Sequence, residues 1–120
     1  MTEYVVLIPG NEDAWAAASL EDKAEMYAKH SAFAAILAER GHKVTSGAEL
    51  THSKTSRLVT GGLDAVSVTD GPYAESVEQL TGFYVVDSDD LDDLLKCVGK
   101  LTEGGGAVEV RECVDHSGDM

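Results

Sequence analysis

The residues best suited to chemistry in this chain are a carboxylate in a predicted loop, Asp70, and an imidazole in a predicted helix, His30. Asp70 opens the segment Asp70-Gly71-Pro72-Tyr73, whose residue types favour a turn between two strands. An Asx turn needs the N–H two residues after the aspartate, and Pro72 has none. Two interpretations stay open: a purely structural turn, or a turn that also presents Asp70 to a pocket.

His30 interrupts an apolar stripe on a predicted helix. Met26, His30, Phe33 and Leu37 are spaced by four, three and four residues, so they share one helix face. This face should lie against a sheet. His30 is then either a core histidine with satisfied hydrogen bonds or a pocket histidine. With a carboxylate partner, a pocket histidine could act as a general base near neutral pH.

Four further side chains are candidates for ligand contacts, and each has a plainer alternative. Tyr73 either plugs its loop or offers a hydroxyl to a ligand. Glu75 is either solvated or joins Asp70 in an acidic cluster. Arg57, one of three arginines, either pairs with a glutamate or holds an anionic substrate. Trp15 either is structural or forms a lid or dimer contact.

Metal and cofactor motifs are missing from the sequence. No two histidines are four residues apart, no HExxH occurs, and the two cysteines have no metal-ligand spacing. The glycines form neither a GxGxxG nor a Walker loop. We therefore expect no metal and no cofactor, and two reduced thiols. The histidines and cysteines of the chain, which are the potential metal ligands meant here, are His30, His42, His52, His116, Cys97 and Cys113.

The elements that must position these side chains alternate in a recognisable order. The sequence predicts, in this order, a buried strand, a long helix capped by Ser19, a second strand, a hairpin, a further strand, a second helix and a last strand. The ranges are 4–8, 20–40, 43–51, 57–60 with 65–69, 80–86, 90–101 and 107–113. This order predicts an α+β fold: a ferredoxin-like split βαβ with an extra β-hairpin, whose mostly antiparallel sheet carries two helices on one face. The bare face needs a cover, which predicts a homodimer with sheets face to face.

Charge and length narrow the function classes. The 120 residues suit one domain. They include 22 acidic against 9 basic residues, a net charge of −13. Such a surface repels nucleic acids and anionic membranes. No apolar run is long enough to span a bilayer, and no basic leader precedes the first strand. We therefore expect no nucleic-acid partner, no membrane partner and a cytoplasmic location.

The segment VTDGPYAESVEQLTGFYVVDSDDLDDLL resembles the signature of the YCII-related, or DGPF-domain, family, with Tyr73 where phenylalanine is commoner. Four further parts of the chain are also similar to the family: the first strand, Trp15 with the start of the first long helix, the pattern of that helix, and Val108 to Arg111. The resemblance covers most of the chain. It indicates a domain over residues 1–114 and a short C-terminal tail over residues 115–120.

The resemblance implies a dimeric α+β barrel and a small bacterial cytoplasmic protein; many members have no established activity. It places a His or Tyr at the position of His30 and the DGP loop near the same cleft. His30 and Asp70 therefore form a candidate acid/base pair beside a small molecule bound between the first long helix and the sheet. The alternative is a non-catalytic regulatory or protein-interaction module linked to transcriptional signalling. Whether the protein is an enzyme stays open.

Overall fold

A four-stranded antiparallel sheet with helices on one face forms the centre of the molecule. The computed structural model describes residues 1–118. Its strands and helices are β1 Thr2–Asn11, α1 Glu12–Ala17, α2 Leu20–Glu39, β2 Lys43–Glu49, β3 Arg57–Thr60, β4 Ser67–Asp70, β5 Glu78–Ser88, α3 Leu91–Thr102 and β6 Glu109–Glu112. The sheet order is β2-β5-β1-β6, with β3 and β4 paired separately. This is the predicted ferredoxin-like α+β arrangement with an inserted hairpin, and the single chain forms an open sheet rather than a closed barrel.

The two long helices begin and end close to the predicted residues. The Ser19 Oγ accepts a hydrogen bond from the Asp22 N–H at 3.1 Å, as expected for an N-cap. Gly41, with a φ of 82°, follows the last turn of α2. The start of α3 differs slightly from the predicted residue 90. Asp90 accepts from the Asp93 N–H at 3.1 Å and is the N-cap residue, so the helix starts one residue later than expected.

The hydrophobic core lies between the helices and one sheet face. The buried residues are Phe33 and Leu37 of α2, Leu94, Cys97 and Val98 of α3, and Tyr4, Val6 and Val86 of the sheet. The predicted α2 stripe is therefore buried in its second half. Toward the other end of the stripe, His30 is half-buried and Met26 is exposed.

The opposite sheet face has an apolar centre, is charged toward Glu109, Arg111 and Asp87, and has no covering helix in the described chain. Val5 pairs with Val85 and Leu7 with Phe83. Because side chains alternate along strands, these four residues point away from the buried Tyr4, Val6 and Val86. All four are only partly buried.

The β3–β4 hairpin extends from this frame as an arm. Its four residue pairs run from Arg57↔Asp70 to Thr60↔Ser67. The Cα radius of gyration is 16.8 Å, above the roughly 14 Å of a compact chain of this length. Val59 and Val68 stand opposite each other and are both exposed. The predicted hairpin is confirmed, and it stands apart from the main sheet.

The start of the chain departs from the prediction. Pro9, Gly10 and Asn11 do not end β1; the strand passes through an irregularity between Ile8 and Pro9 and continues. Asn11 instead caps the short helix α1, which was not predicted, by accepting from the Ala14 N–H at 3.0 Å.

Residues 119 and 120 of the predicted tail lie outside the described residues. No helix within residues 1–118 is both long and apolar enough to cross a membrane.

Candidate functional site

An open cavity of about 570 Å³ lies beside the DGP loop, here defined as residues 70–77. Three segments surround it: the start of α1, the short 3₁₀ turn Ser53–Thr55 with His52 before it, and the DGP loop. The volume is in the range of cavities that hold small molecules. Its lining residues include Glu12, Asp13, His52, Ser53, Lys54 and Glu75.

A histidine–aspartate pair lies at the wall of this cavity. The His52 Nε2 is 2.9 Å from the Asp13 Oδ1. The His52 Nδ1 accepts from the Lys54 N–H at 3.1 Å, so in the neutral imidazole the proton is on Nε2 and is donated to Asp13. The side chain of Asp13 is 94% exposed, and the carboxylate can therefore meet a ligand directly.

Glu12, the neighbour of Asp13, has a structural role. It is buried, and its two carboxylate oxygens accept from the Ser53 N–H at 2.8 Å and the Ser53 Oγ at 2.5 Å. A buried charge is tolerated when such hydrogen bonds satisfy it. These bonds join α1 to the 3₁₀ turn and so hold the His52–Asp13 pair together.

The DGP loop contributes Gly71, Pro72, Glu75, Ser76 and Val77 to the cavity lining, whereas Asp70 and Tyr73 are not part of it. Asp70 is exposed and its Oδ1 lies 3.7 Å from the Arg57 Nη1. Arg57 thus pairs with an aspartate rather than the expected glutamate. The side chain of Tyr73 is 93% exposed, so its interpretation as an apolar plug is wrong for the single chain. Glu75 is solvated and also lines the cavity.

Close packing between Gly71 and Ser56 fixes the position at which the DGP loop leaves the β3–β4 hairpin. The Gly71 N–H donates to the Ser56 carbonyl at 2.9 Å. A Cβ at Gly71 would lie 2.7 Å from the Ser56 Oγ and 2.9 Å from the Ser56 Cβ. Only glycine therefore allows this approach without a shift of one segment.

His30 hydrogen-bonds to Tyr84 on β5. Its Nδ1 is 2.7 Å from the Tyr84 hydroxyl. Burial lowers the pKa of His30, and the negative charge of Glu49 partly opposes this effect. Burial also raises the pKa of Tyr84. Both groups are therefore favoured in their neutral forms, and one hydrogen is shared between them.

Trp15 of α1 and Tyr27 in the first half of α2 form an aromatic contact between the two helices. Their rings meet edge to face with centroids 5.6 Å apart, and the Lys23 ammonium lies 5.6 Å from the Trp15 ring centroid. The Tyr27 hydroxyl donates to the Glu49 carboxylate at 2.9 and 3.1 Å; this hydrogen bond, more than burial, raises the pKa of Tyr27. Trp15 thus fixes α1 against α2 in the single chain.

The two members of the predicted acid/base pair have different partners. Within residues 1–118, no hydrogen bond or ion pair joins His30 to Asp70, and a catalytic role for either stays a prediction. His52, Asp13 and Glu12 were not among the sequence candidates, because they are about 40 residues apart and belong to an unpredicted helix and a short turn. The run of Asn11, Glu12 and Asp13 could have indicated the start of α1 in the sequence, because side chains that accept hydrogen bonds or carry negative charge are favoured at helix N-termini.

The order β-α-β-β-α-β around a β2-β5-β1-β6 sheet, with a DGP loop at a polar cavity, defines a ferredoxin-like α+β protein carrying an inserted arm. The chain matches the YCII-related domain over residues 2–117 and belongs to that family. It is also similar to an uncharacterized protein of Rhizobium meliloti (strain 1021). The two are 32% identical over 111 residues, which cover 90% of this chain and 89% of the relative.

Proposed function

We propose that this protein binds a small polar molecule in the cavity beside the DGP loop. The observation that carries the proposal is the convergence of the loop with the His52–Asp13 pair around about 570 Å³ of open space. The carboxylates of Asp13 and Glu75 favour a ligand that donates hydrogen bonds or carries positive charge. Lys54 is the cationic side chain among the lining residues.

The His52–Asp13 pair gives the cavity acid/base capacity. Histidine is the side chain that most often transfers protons in catalysis, and a carboxylate partner fixes the orientation of its ring. A ligand that contacts the pair could therefore give or take a proton there. In this proposal His30 and Tyr84 form a second polar group, on the helix-covered side of the sheet.

We also propose that the working unit is a homodimer with the bare sheet faces packed together. Two observations support this: the apolar centre of that face, formed by Val5, Leu7, Phe83 and Val85, has no cover within the described chain, and the arm is extended. An isolated two-stranded hairpin is marginally stable in water. Contact with a second subunit would stabilise both features.

Ligand binding is tested by a thermal-shift screen of small polar metabolites against the purified chain, because a ligand that binds the folded state raises its melting temperature. The informative variant is Val77→Trp, which fills the cavity from an exposed lining position. Val114→Trp is the matched control, since Val114 is equally exposed and is not part of the lining.

The expected result is a ligand that raises the melting temperature of the wild type and of Val114→Trp but not of Val77→Trp. A ligand that stabilises all three proteins equally would place binding elsewhere. A wild type that responds to no member of a broad screen would oppose the proposal.

A further inference from the structure

Three potential metal ligands meet at the junction of α2, β2 and α3, away from the DGP-loop cavity. His42 follows Gly41 at the end of α2, and its side chain is 3% exposed. Asp93 and Cys97 are four residues apart on one face of α3. The His42 Nε2 is 2.7 Å from the Asp93 Oδ2, and the Cys97 Sγ is 4.0 Å from that oxygen. All three donor atoms lie within 4.8 Å of one another.

Neighbouring groups orient these ligands. The Ser88 Oγ, which is buried, lies 2.8 Å from the His42 Nδ1 and accepts from the Asp90 N–H at 3.0 Å. This contact directs the Nε2 of His42 toward Asp93. Arg40 donates to the Asp93 Oδ1 at 2.9 Å, which leaves the Oδ2 facing His42 and Cys97. Protein metal sites commonly have such outer hydrogen bonds, which fix the direction of each ligand.

We propose that His42, Asp93 and Cys97 bind a divalent transition-metal ion with the ligand preference of Zn²⁺. Imidazole, carboxylate and thiolate are the three donor types that Zn²⁺ accepts, and three protein ligands with a fourth open position is an established arrangement. Bond lengths of roughly 2.0–2.3 Å in a tetrahedron separate donors by about 3.3–3.8 Å. The His42–Asp93 contact must therefore lengthen by roughly half an ångström and the Asp93–Cys97 separation must shorten by about the same amount. The donor atoms of His42 and Cys97, which lie within 4.8 Å of each other, must come into the same range.

Charge and access are compatible with a metal ion at this position. The carboxylate of Asp93 and the thiolate of Cys97 together carry two negative charges against the two positive charges of the ion, and the Arg40 guanidinium at the outer carboxylate oxygen adds one positive charge to the site. On binding, the Cys97 thiol loses its proton to solvent as the sulfur–metal bond forms. The side chain of Asp93 is 27% exposed, so solvent can reach the fourth position and supply a water ligand.

The same contacts also satisfy His42 and Asp93 by hydrogen bonding alone, and the experiment separates the two roles. The full chain is treated with chelator and titrated with Co²⁺, an optically active substitute for Zn²⁺. We expect one equivalent to bind with a thiolate-to-cobalt absorption band, Zn²⁺ to remove the band by competition, and Zn²⁺ to raise the melting temperature.

Two cysteine variants identify the ligand. Cys97→Ser should lose the thiolate band, whereas Cys113→Ser should keep it, because Cys113 is the other thiol of the chain. Ser88→Ala, which changes only a positioning residue, should weaken Zn²⁺ binding by on the order of 10- to 100-fold. A folded wild type that gives no thiolate band would overturn the proposal without recourse to any variant. A band that Cys113→Ser removes and Cys97→Ser retains would also overturn it.

Discussion

The His52 Nε2 and the Asp13 Oδ1 are 2.9 Å apart, although 39 residues separate them in the chain. The hydrogen bonds between Glu12 and Ser53 hold the two segments in register. Consecutive acids therefore have different roles. Glu12 is buried and connects α1 to the 3₁₀ turn, whereas Asp13 is solvent-exposed and faces the cavity.

This difference predicts opposite phenotypes for two adjacent substitutions. Glu12→Ala removes the acceptor of the Ser53 N–H and hydroxyl, and should lower the free energy of unfolding by about 1–3 kcal/mol. Asp13→Ala should leave stability nearly unchanged, because exposed ion pairs contribute little, yet should reduce the thermal shift produced by a cavity ligand. Urea denaturation and ligand thermal shifts measure the two effects. Equal losses of stability in both variants would contradict these assignments.

The pH dependence of stability should carry a contribution from His30. Because burial lowers its pKa in the folded state, the unfolded state binds the proton more readily below its own pKa of about 6.5. This contribution to stability is therefore complete above about pH 6.5 and is lost as the pH falls through the lower pKa of the folded state.

His30→Gln keeps a hydrogen-bonding side chain beside Tyr84 but does not titrate. Denaturation midpoints measured between pH 7.5 and pH 5 should fall less steeply for His30→Gln than for the wild type. Tyr84→Phe is the control, since it retains the buried imidazole and should retain the slope. Identical slopes for wild type and His30→Gln would show that His30 titrates alike in both states.

Two glycines of the arm and its loop should respond differently to alanine. Gly71→Ala places a Cβ 2.7 Å from the Ser56 Oγ, and should destabilise the protein by about 1–3 kcal/mol through overpacking. Gly62→Ala meets no atom within 4 Å at a φ of −89°. It should be neutral, or stabilising by about 0.4–1 kcal/mol because alanine restricts the unfolded chain. Urea midpoints of the two variants check the contrast, and a destabilised Gly62→Ala would contradict it.

The proposed dimer depends on the bare sheet face. Size-exclusion chromatography with light scattering should give twice the 12.7 kDa chain mass. Leu7→Glu places a charge on that face, which would lose its hydration in a packed interface, and should yield monomers at micromolar concentration. Ala35→Glu, on an exposed position of α2, should remain dimeric. A monomeric wild type would exclude this assembly.

The sequence by itself determined the type and order of most elements. Apolar periodicity defined α2 and α3, Ser19 marked the start of α2, Gly41 marked its end, and turn residues separated the strands. These signals are local, because helix caps, turns and side-chain alternation depend on residues a few positions apart. They were sufficient for the ferredoxin-like order, the inserted hairpin and the side of α2 that contains Phe33 and Leu37.

Only the tertiary structure decided which polar groups meet. It joined His30 to Tyr84, Asp70 to Arg57, and His52 to Asp13, and it brought His42 to the α3 pair of Asp93 and Cys97. The Asp70–Arg57 contact depends on the register of the β3–β4 hairpin, and the other contacts depend on how segments distant in sequence pack against one another. Local sequence patterns do not specify these contacts. Two side chains more than ten residues apart become neighbours only when the chain between them has folded.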